Sequence, residues 1–319
     1  MQHRDLGRSS LRVSPLCLGG NVFGWTATEA ASFAVLDAAV GAGLNFIDTA
    51  DVYSAWVSGH RGGESETVIG NWLKRSAKRK DMVIATKVGM EMSPDHKGLS
   101  AGHIANSVEG SLRRLQTDYI DLYFAHCDDA SGPVEETLGA FQKLIAQGKV
   151  RAIGASNHTA ARLAESLEIS SRHCLPRYEV LQPQYNLYDR SDYEPALEPL
   201  CLEQQIGVVT YSALASGFLS GKYRTPADAS KSVRGKSIAE KYLNERGLRI
   251  LAALDDVGRR HKASAASGAL AWLIARPGIT APIASATTVN QLNDLIAATR
   301  LSLDQAAIEQ LNTASKQGT

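Results

Sequence analysis

The sequence predicts a closed (β/α)8 TIM barrel with an N-terminal β-hairpin and extra C-terminal helices, on three observations. Short apolar segments alternate about eight times with helix-length amphipathic segments, the pattern of βαβ units and a parallel sheet. A chain of 319 residues suits one such barrel, so residues 1–319 are expected to form a single domain. No G-x-G-x-x-G follows the first strand, which disfavours an open doubly wound sheet.

Turn residues around short β segments at 6–14 predict the opening hairpin. Residues 16–18 read as a buried strand closed by Gly19 and Gly20. Residues 28–42 carry Ala31, Val35, Ala38 and Ala39 on one helical face, with Thr26 or Thr28 as N-cap and Gly41 and Gly43 marking the end. The next strand, 44–49, lies within GLNFIDTADVY and brings Asp48 to its C-terminal end. A helix at 65–76 leads to an apolar strand at 82–86, ending at Lys87. Ser100 caps a helix at 100–115, and a strand at 119–124 ends near His126. A helix at 134–147, closed by Gly148, precedes a strand at 150–155 that ends at Ser156 and Asn157. A helix at 159–169, a strand at 180–184, a helix at 193–204 and a strand at 206–211 follow. A long loop with Gly and Ser runs from 212 to about 236. Helices at 238–260 and 264–276, a strand at 279–284, and helices at 288–298 and 304–313 complete the chain.

An apolar content of 44% supports a sizeable core, and a net charge of +1 gives no reason to expect a nucleic-acid or membrane-surface partner. The longest apolar run, 269–275, is far too short to span a bilayer. Residues 1–12 are polar and charged, so no signal peptide is expected. Cys17, Cys127, Cys174 and Cys201 are widely spaced without C-x-x-C, which reads as reduced thiols in a cytoplasmic protein with no zinc site.

In a (β/α)8 barrel, functional groups gather at the C-terminal ends of the strands. Asp48, Lys87 and His126 fall at or just past the ends of three successive strands, and Tyr53 lies in the loop after the first of them. Four such side chains at one mouth are more than packing requires. A free tyrosine titrates near 10, and a neighbouring Lys87 ammonium is expected to lower that value. Asp48 would keep Lys87 charged and in place, and His126 would hydrogen-bond a substrate oxygen or help relay a proton. The set suits reversible carbonyl reduction, with Tyr53 protonating oxygen while a cofactor delivers hydride to carbon.

Over essentially its whole length the chain resembles the aldo-keto reductase superfamily. GLNFIDTADVY with Glu66 and Gly70, IATKVG around Lys87, and TDYIDLYFAH ending at His126 carry the resemblance, with GASNH, LQPQYN, YSALASGFLSGKY and ASATTVNQL in the family's order. The last two look closest to bacterial members related to potassium-channel β subunits. The resemblance implies NADP(H) as cofactor and Asp48, Tyr53, Lys87 and His126 as the catalytic tetrad, Asp48 also lying at the cofactor. It implies that Ser156, Asn157 and Gln182 hold the nicotinamide carboxamide, that Tyr211 stacks on its ring, and that Gly20 and Asn21 lie near the ring and ribose. It assigns Ser212, Leu214, Ser216, Gly217 and Lys222 to the pyrophosphate.

Two departures stand out. Gln291 falls where many relatives carry an arginine for the 2′-phosphate, and Leu295 replaces a common Asn, which leaves Arg234 as the expected 2′-phosphate partner, with Ser285 and Thr287 assisting. The loop 54–63 is longer than is typical of this branch and is expected to wall the pocket. Trp56 in that loop, Phe23 and Trp25 after the first strand, and His126 are expected to meet a bulky or ring-shaped carbonyl substrate, with His60 and Arg61 nearby. Two other functions are weighed: an NADP(H)-binding regulatory subunit with slow turnover, and a Schiff-base lyase using Lys87. The substrate, the direction of the reaction and the oligomeric state are not encoded legibly, and a homo-oligomer is compatible with the sequence.

Overall fold

The computed structural model describes residues 1–316. Strands β1 (Arg4–Asp5) and β2 (Arg12–Val13) pair antiparallel as the expected hairpin. This hairpin plugs the N-terminal end of the barrel. Leu6, Leu11 and Val13 join the apolar cluster that also holds the barrel's inward-facing side chains, and Arg4 donates to the carbonyls of Ile274 and Ile279. Gly7 adopts φ 59°, and a Cβ there would stand 2.4 Å from the Glu179 carbonyl, so no other residue fits that approach.

The chain then alternates as the sequence indicates. In order come β3 (Cys17–Gly19), α1 (Glu29–Gly41), β4 (Phe46–Asp48), α2 (Glu64–Ser76), β5 (Val83–Val88), α3 (Ala101–Leu115) and β6 (Ile120–Ala125). They are followed by α4 (Val134–Ala146), β7 (Val150–Ser156), α5 (Ala160–His173), β8 (Val180–Gln182), α6 (Leu197–Glu203) and β9 (Gly207–Thr210). Last are α7 (Gly235–Tyr242), α8 (Glu245–His261), α9 (Ala265–Ala275), β10 (Ile279–Ala284), α10 (Val289–Ala298) and α11 (Gln305–Ser315). Strands β3 to β10 close into a barrel in sequence order, every neighbouring pair parallel. Thr28 and Ser100 are the N-caps of α1 and α3, each side chain accepting the N–H of the third residue on.

Side chains alternate across a strand, so every second residue points into the barrel. The interior cluster holds Cys17, Phe46, Val83, Ala85, Leu122, Phe124, Ala152, Val180, Val209, Ala281 and Ile283. The intervening residues, Ile47, Ile84, Tyr123, Ile153 and Leu181 among them, pack outward against the helices with Trp72, Phe141 and Trp272. Continuing each inward register one step past the last apolar residue reaches Asp48, Lys87, His126, Ser156 (after the small Gly154), Gln182 and Tyr211. The barrel interior thus ends, strand by strand, in a polar layer at its C-terminal mouth.

Several element boundaries differ from the expected ones; α5, for example, runs to His173 instead of 169. Strand β8 stops at Gln182, because Pro183 has no N–H to continue the ladder. The expected helix at 238–260 is two helices. Asn244 breaks it by capping α8, its side chain accepting the Gly247 N–H. The segment before α6 is turns, and the helix proper starts at Leu197. The long loop after β9 holds two 3-10 turns, Ala215–Ser220 and Pro226–Lys231, the second begun by a Thr225/Asp228 capping box. All four cysteines are free. Among the described residues no helix is long and apolar enough to cross a membrane, and no cluster of His, Cys, Asp and Glu could hold a metal ion.

Candidate active site

Lys87 anchors the mouth. It is fully buried, and its ammonium donates to Asp48 Oδ2 at 2.7 Å, the Thr49 carbonyl at 2.7 Å and Tyr53 Oη at 3.0 Å. Those three bonds use all three ammonium protons. Gln182 donates to the other Asp48 oxygen at 2.8 Å, so the buried carboxylate is held on both sides. Burial alone would depress the Lys87 ammonium. The Asp48 charge, with the hydrogen bonds to Asp48 and Tyr53, outweighs it and holds Lys87 above its ordinary value.

Tyr53 corrects an expectation. Its phenol lies above, not below, its ordinary value of 10.0. Burial is the largest cause; the Lys87 charge and hydrogen bond pull downward, and Asp48 adds to the rise. Tyr53 therefore keeps its proton at neutral pH. Because its oxygen accepts from Lys87, its own O–H is free to point elsewhere. His126 is buried, and burial first and the Lys87 charge second push its imidazole well below the usual range, so it is neutral. Its Nδ1 is buried without a hydrogen-bond partner, and its ring stands edge-on to Tyr53 with centroids 6.1 Å apart.

The residues assigned to the nicotinamide carboxamide adjoin this group. Ser156 Oγ donates to the Gln182 carbonyl at 2.9 Å, and Asn157 Nδ2 to the His126 carbonyl at 2.8 Å. Tyr211 Oη donates to Asn157 Oδ1 at 2.8 Å. Gly20 N donates to the Asp48 carbonyl at 2.7 Å, and Asn21 accepts from Ser285 Oγ at 2.5 Å. These contacts draw β3, β4, β6, β7, β8, β9 and β10 to one rim.

The segment after Tyr211 offers small residues and one cation to a diphosphate. Ser212, Ala215, Ser216 and Gly217 all have positive φ in a tight turn where the Ala215 and Gly217 N–H groups bond back to the Ser212 and Leu214 carbonyls. Leu214 lies within it, and Lys222 Nζ stands 3.8 Å from where a Gly217 Cβ would be. At the adenine end, Gln291 Oε1 accepts from Thr287 N at 2.9 Å and Thr287 Oγ1 at 3.0 Å. Arg234 is exposed, with its guanidinium 5.5 Å above the Trp25 ring, and among the described residues no hydrogen bond joins it to Ser285, Thr287 or Gln291.

An aromatic row lines the mouth. Trp25 meets Trp56 edge-on at 5.6 Å, and Trp56 meets Tyr53 at 5.8 Å. Phe23, expected in this wall, is not part of it: fully buried, it packs in the core between barrel and helices because the β3–α1 turn directs it inward. His60 bonds to Ser54 Oγ at 2.9 Å instead of facing the mouth freely. Sequence reading missed Glu64, Asp51 and Arg114. Glu66 accepts from Thr86 at 2.6 Å and from Arg114 at 2.6 Å behind β5, and Asp51 lies nearby. Glu64 was visible only as an acid in the first turn of α2, and Asp51 and Arg114 carried no signal in spacing.

Residues 15–316 match the model of the aldo/keto reductase family. The chain is 35% identical to the uncharacterized oxidoreductase YrpG of Bacillus subtilis, covering 98% of this chain and 95% of that protein. It is 36% identical to a probable voltage-gated potassium channel subunit beta of Oryza sativa, over 92% and 89% of the two chains. It is 33% identical to Protein tas of Escherichia coli, over 98% and 96%. With a family model spanning nearly the whole chain and relatives matched end to end, this protein belongs to the aldo/keto reductases, a family of oxidoreductases that act in carbonyl reduction.

Proposed function

We propose that the chain is an NADP(H)-dependent carbonyl reductase in which Tyr53 is the general acid, Lys87 and Asp48 position and polarise it, and His126 orients the substrate oxygen. The observation that carries this reading is the saturation of Lys87: with all three ammonium protons committed, Lys87 has none left to give, and within the Asp48–Lys87–Tyr53 set the proton free to face the mouth is that of Tyr53. A carbonyl oxygen placed between Tyr53 and His126 would accept from both, His126 donating as a neutral imidazole. As negative charge grows on that oxygen, Tyr53 gives up its proton and the Lys87 ammonium stabilises the phenolate left behind. The high phenol value suits this order, since the proton leaves only when a stronger base develops.

The cofactor supplies the hydride. Ser156, Asn157 and Gln182 would hold its carboxamide, Tyr211 its ring face, the turn at 212–217 with Lys222 its diphosphate, and Arg234, Ser285, Thr287 and Gln291 its adenosine end. Steady-state turnover of a panel of aldehydes and ketones, with NADPH and then NADH, tests the reading. Turnover of none of them, with NADPH still bound tightly, would favour the regulatory role that the name of the rice relative raises.

A further inference from the structure

The loop 54–63 is tied shut at its base by one carboxylate. Glu64, the first residue of α2, accepts the Ser54 N–H and the Gly62 N–H at Oε2, each at 3.1 Å, and the Arg61 N–H at Oε1 at 2.8 Å. Burial opposes its ionisation, but the N–H groups of Arg61, Glu64 itself and Ser54 outweigh it and hold the carboxyl below its ordinary range. Two further bonds complete the closure: Gly63 N to the Tyr53 carbonyl at 2.8 Å, and Ser54 Oγ with His60 Nδ1 at 2.9 Å. The clamp therefore joins the residue after Tyr53 to the far end of the loop.

Trp56 stands on this clamp. It remains 52% exposed, and its nearest aromatic neighbours, Trp25 and Tyr53, meet it edge-on, which leaves ring surface open toward the mouth. A large aromatic kept half in water on a loop fixed by charge-assisted bonds is a surface prepared for a flat apolar partner. We propose that Glu64 is a specificity-determining residue: by fixing the loop 54–63 it presents Trp56 and Trp25 as a preformed wall that selects carbonyl compounds whose carbonyl is attached to a flat aromatic ring. The proposal rests on the carbonyl-reductase reading of the same mouth. Glu64 makes no hydrogen bond to Tyr53 Oη, Trp25 or Trp56, and its Cβ and backbone lie beside Gly24, so it acts by positioning the loop and not by contacting the substrate. Arg61 is exposed and Gly62 half-buried, so water can replace the carboxylate at those two N–H groups, while the Ser54 N–H at the buried base of the loop loses its acceptor. Losing Glu64 costs loop order more than it costs the fold.

The test compares wild type with Glu64→Ala and Glu64→Gln on 2-naphthaldehyde and on propanal, with tryptophan fluorescence titration by 2-naphthaldehyde as a readout independent of turnover. In Glu64→Ala the ratio of kcat/KM for 2-naphthaldehyde to that for propanal falls by about tenfold, through KM, as expected for lost ring contacts at a mobile wall. Glu64→Gln recovers part of that ratio, because its amide oxygen still accepts from the loop. An unchanged ratio, or an equal loss of kcat on both substrates, overturns the proposal. If wild type binds 2-naphthaldehyde saturably, and Glu64→Ala weakens that binding, while neither aldehyde is reduced, then the wall stands and the carbonyl-reductase reading falls. If propanal is reduced but 2-naphthaldehyde neither quenches nor competes, the reverse holds.

Discussion

Lys87 donates to the Tyr53 hydroxyl across 3.0 Å, so in this pair the tyrosine oxygen is the acceptor and its own proton is left for another partner. That polarity gives Tyr53 the donor's role and Lys87 the role of electrostatic support.

The first prediction follows for Lys87→Met. The Lys87 charge is what holds the Tyr53 phenol down against burial, so its removal sends the phenol further up. Carbonyl reduction should fall by about 10²-fold or more, and the alkaline limb of the residual pH–rate profile should move to higher pH. A profile superimposable on wild type, with substantial kcat, would remove Lys87 from this role. Met also strands Asp48 as a buried carboxylate with Gln182 as its remaining side-chain donor, so a lower melting temperature should accompany the loss.

A second prediction concerns Asp51, two residues before Tyr53. It is buried at the edge of a cleft of about 410 Å3 between α3 and the loop after β5, and neither of its carboxylate oxygens has a hydrogen-bond partner. Burial first, and the Glu66 charge second, raise its carboxyl from 3.8 to about 7, with Arg114 opposing. A raised carboxyl binds its proton more tightly in the folded chain than in the unfolded one. Its contribution to stability is complete below about pH 4 and is lost as the pH climbs to about 7. Asp51→Asn cannot titrate, so its stability advantage over wild type should grow by at most about 1.4 kcal/mol per pH unit across that window and then level off. Denaturant unfolding at a series of pH values checks this, and a difference independent of pH would contradict it.

Cofactor choice gives a third prediction. Arg234→Ala should raise the Kd for NADPH by about tenfold, or 1.4 kcal/mol, and leave NADH nearly unaffected, because only NADPH carries a 2′-phosphate. The NADPH penalty should shrink at high salt, since the residue is exposed even though its guanidinium is partly covered against Trp25. Equal weakening of both cofactors would mean that Arg234 serves to seat its loop on Trp25 and does not read the phosphate.

How much of this could be read from the sequence follows from the range of each interaction. Thr28 and Ser100 announced their helices because a cap bonds a residue three positions away. Asp48, Lys87 and His126 could be placed at strand ends because period-two alternation is a local property of the chain. The break at Asn244 was hidden by helical periodicity that continues across it. The direction of the Tyr53 shift was misjudged because the ammonium is visible in the sequence and the burial that outweighs it is not. Phe23 read as a wall residue because the turn that sends it inward leaves no mark in composition. Glu64 was passed over because a first-turn acid is ordinary, and its three N–H partners are set by how the loop folds back.

The central claim is that the Tyr53 proton is the one delivered to the carbonyl oxygen. The most direct test is the single-turnover rate of NADPH oxidation by Tyr53→Phe with a saturating aldehyde, alongside the Kd for NADPH. The account predicts a rate lower by about 10²–10⁴-fold with a Kd within about twofold of wild type, since only one hydroxyl is removed. A Tyr53→Phe rate within about a tenth of wild type would contradict it and would pass the proton donor's role to His126 or to water.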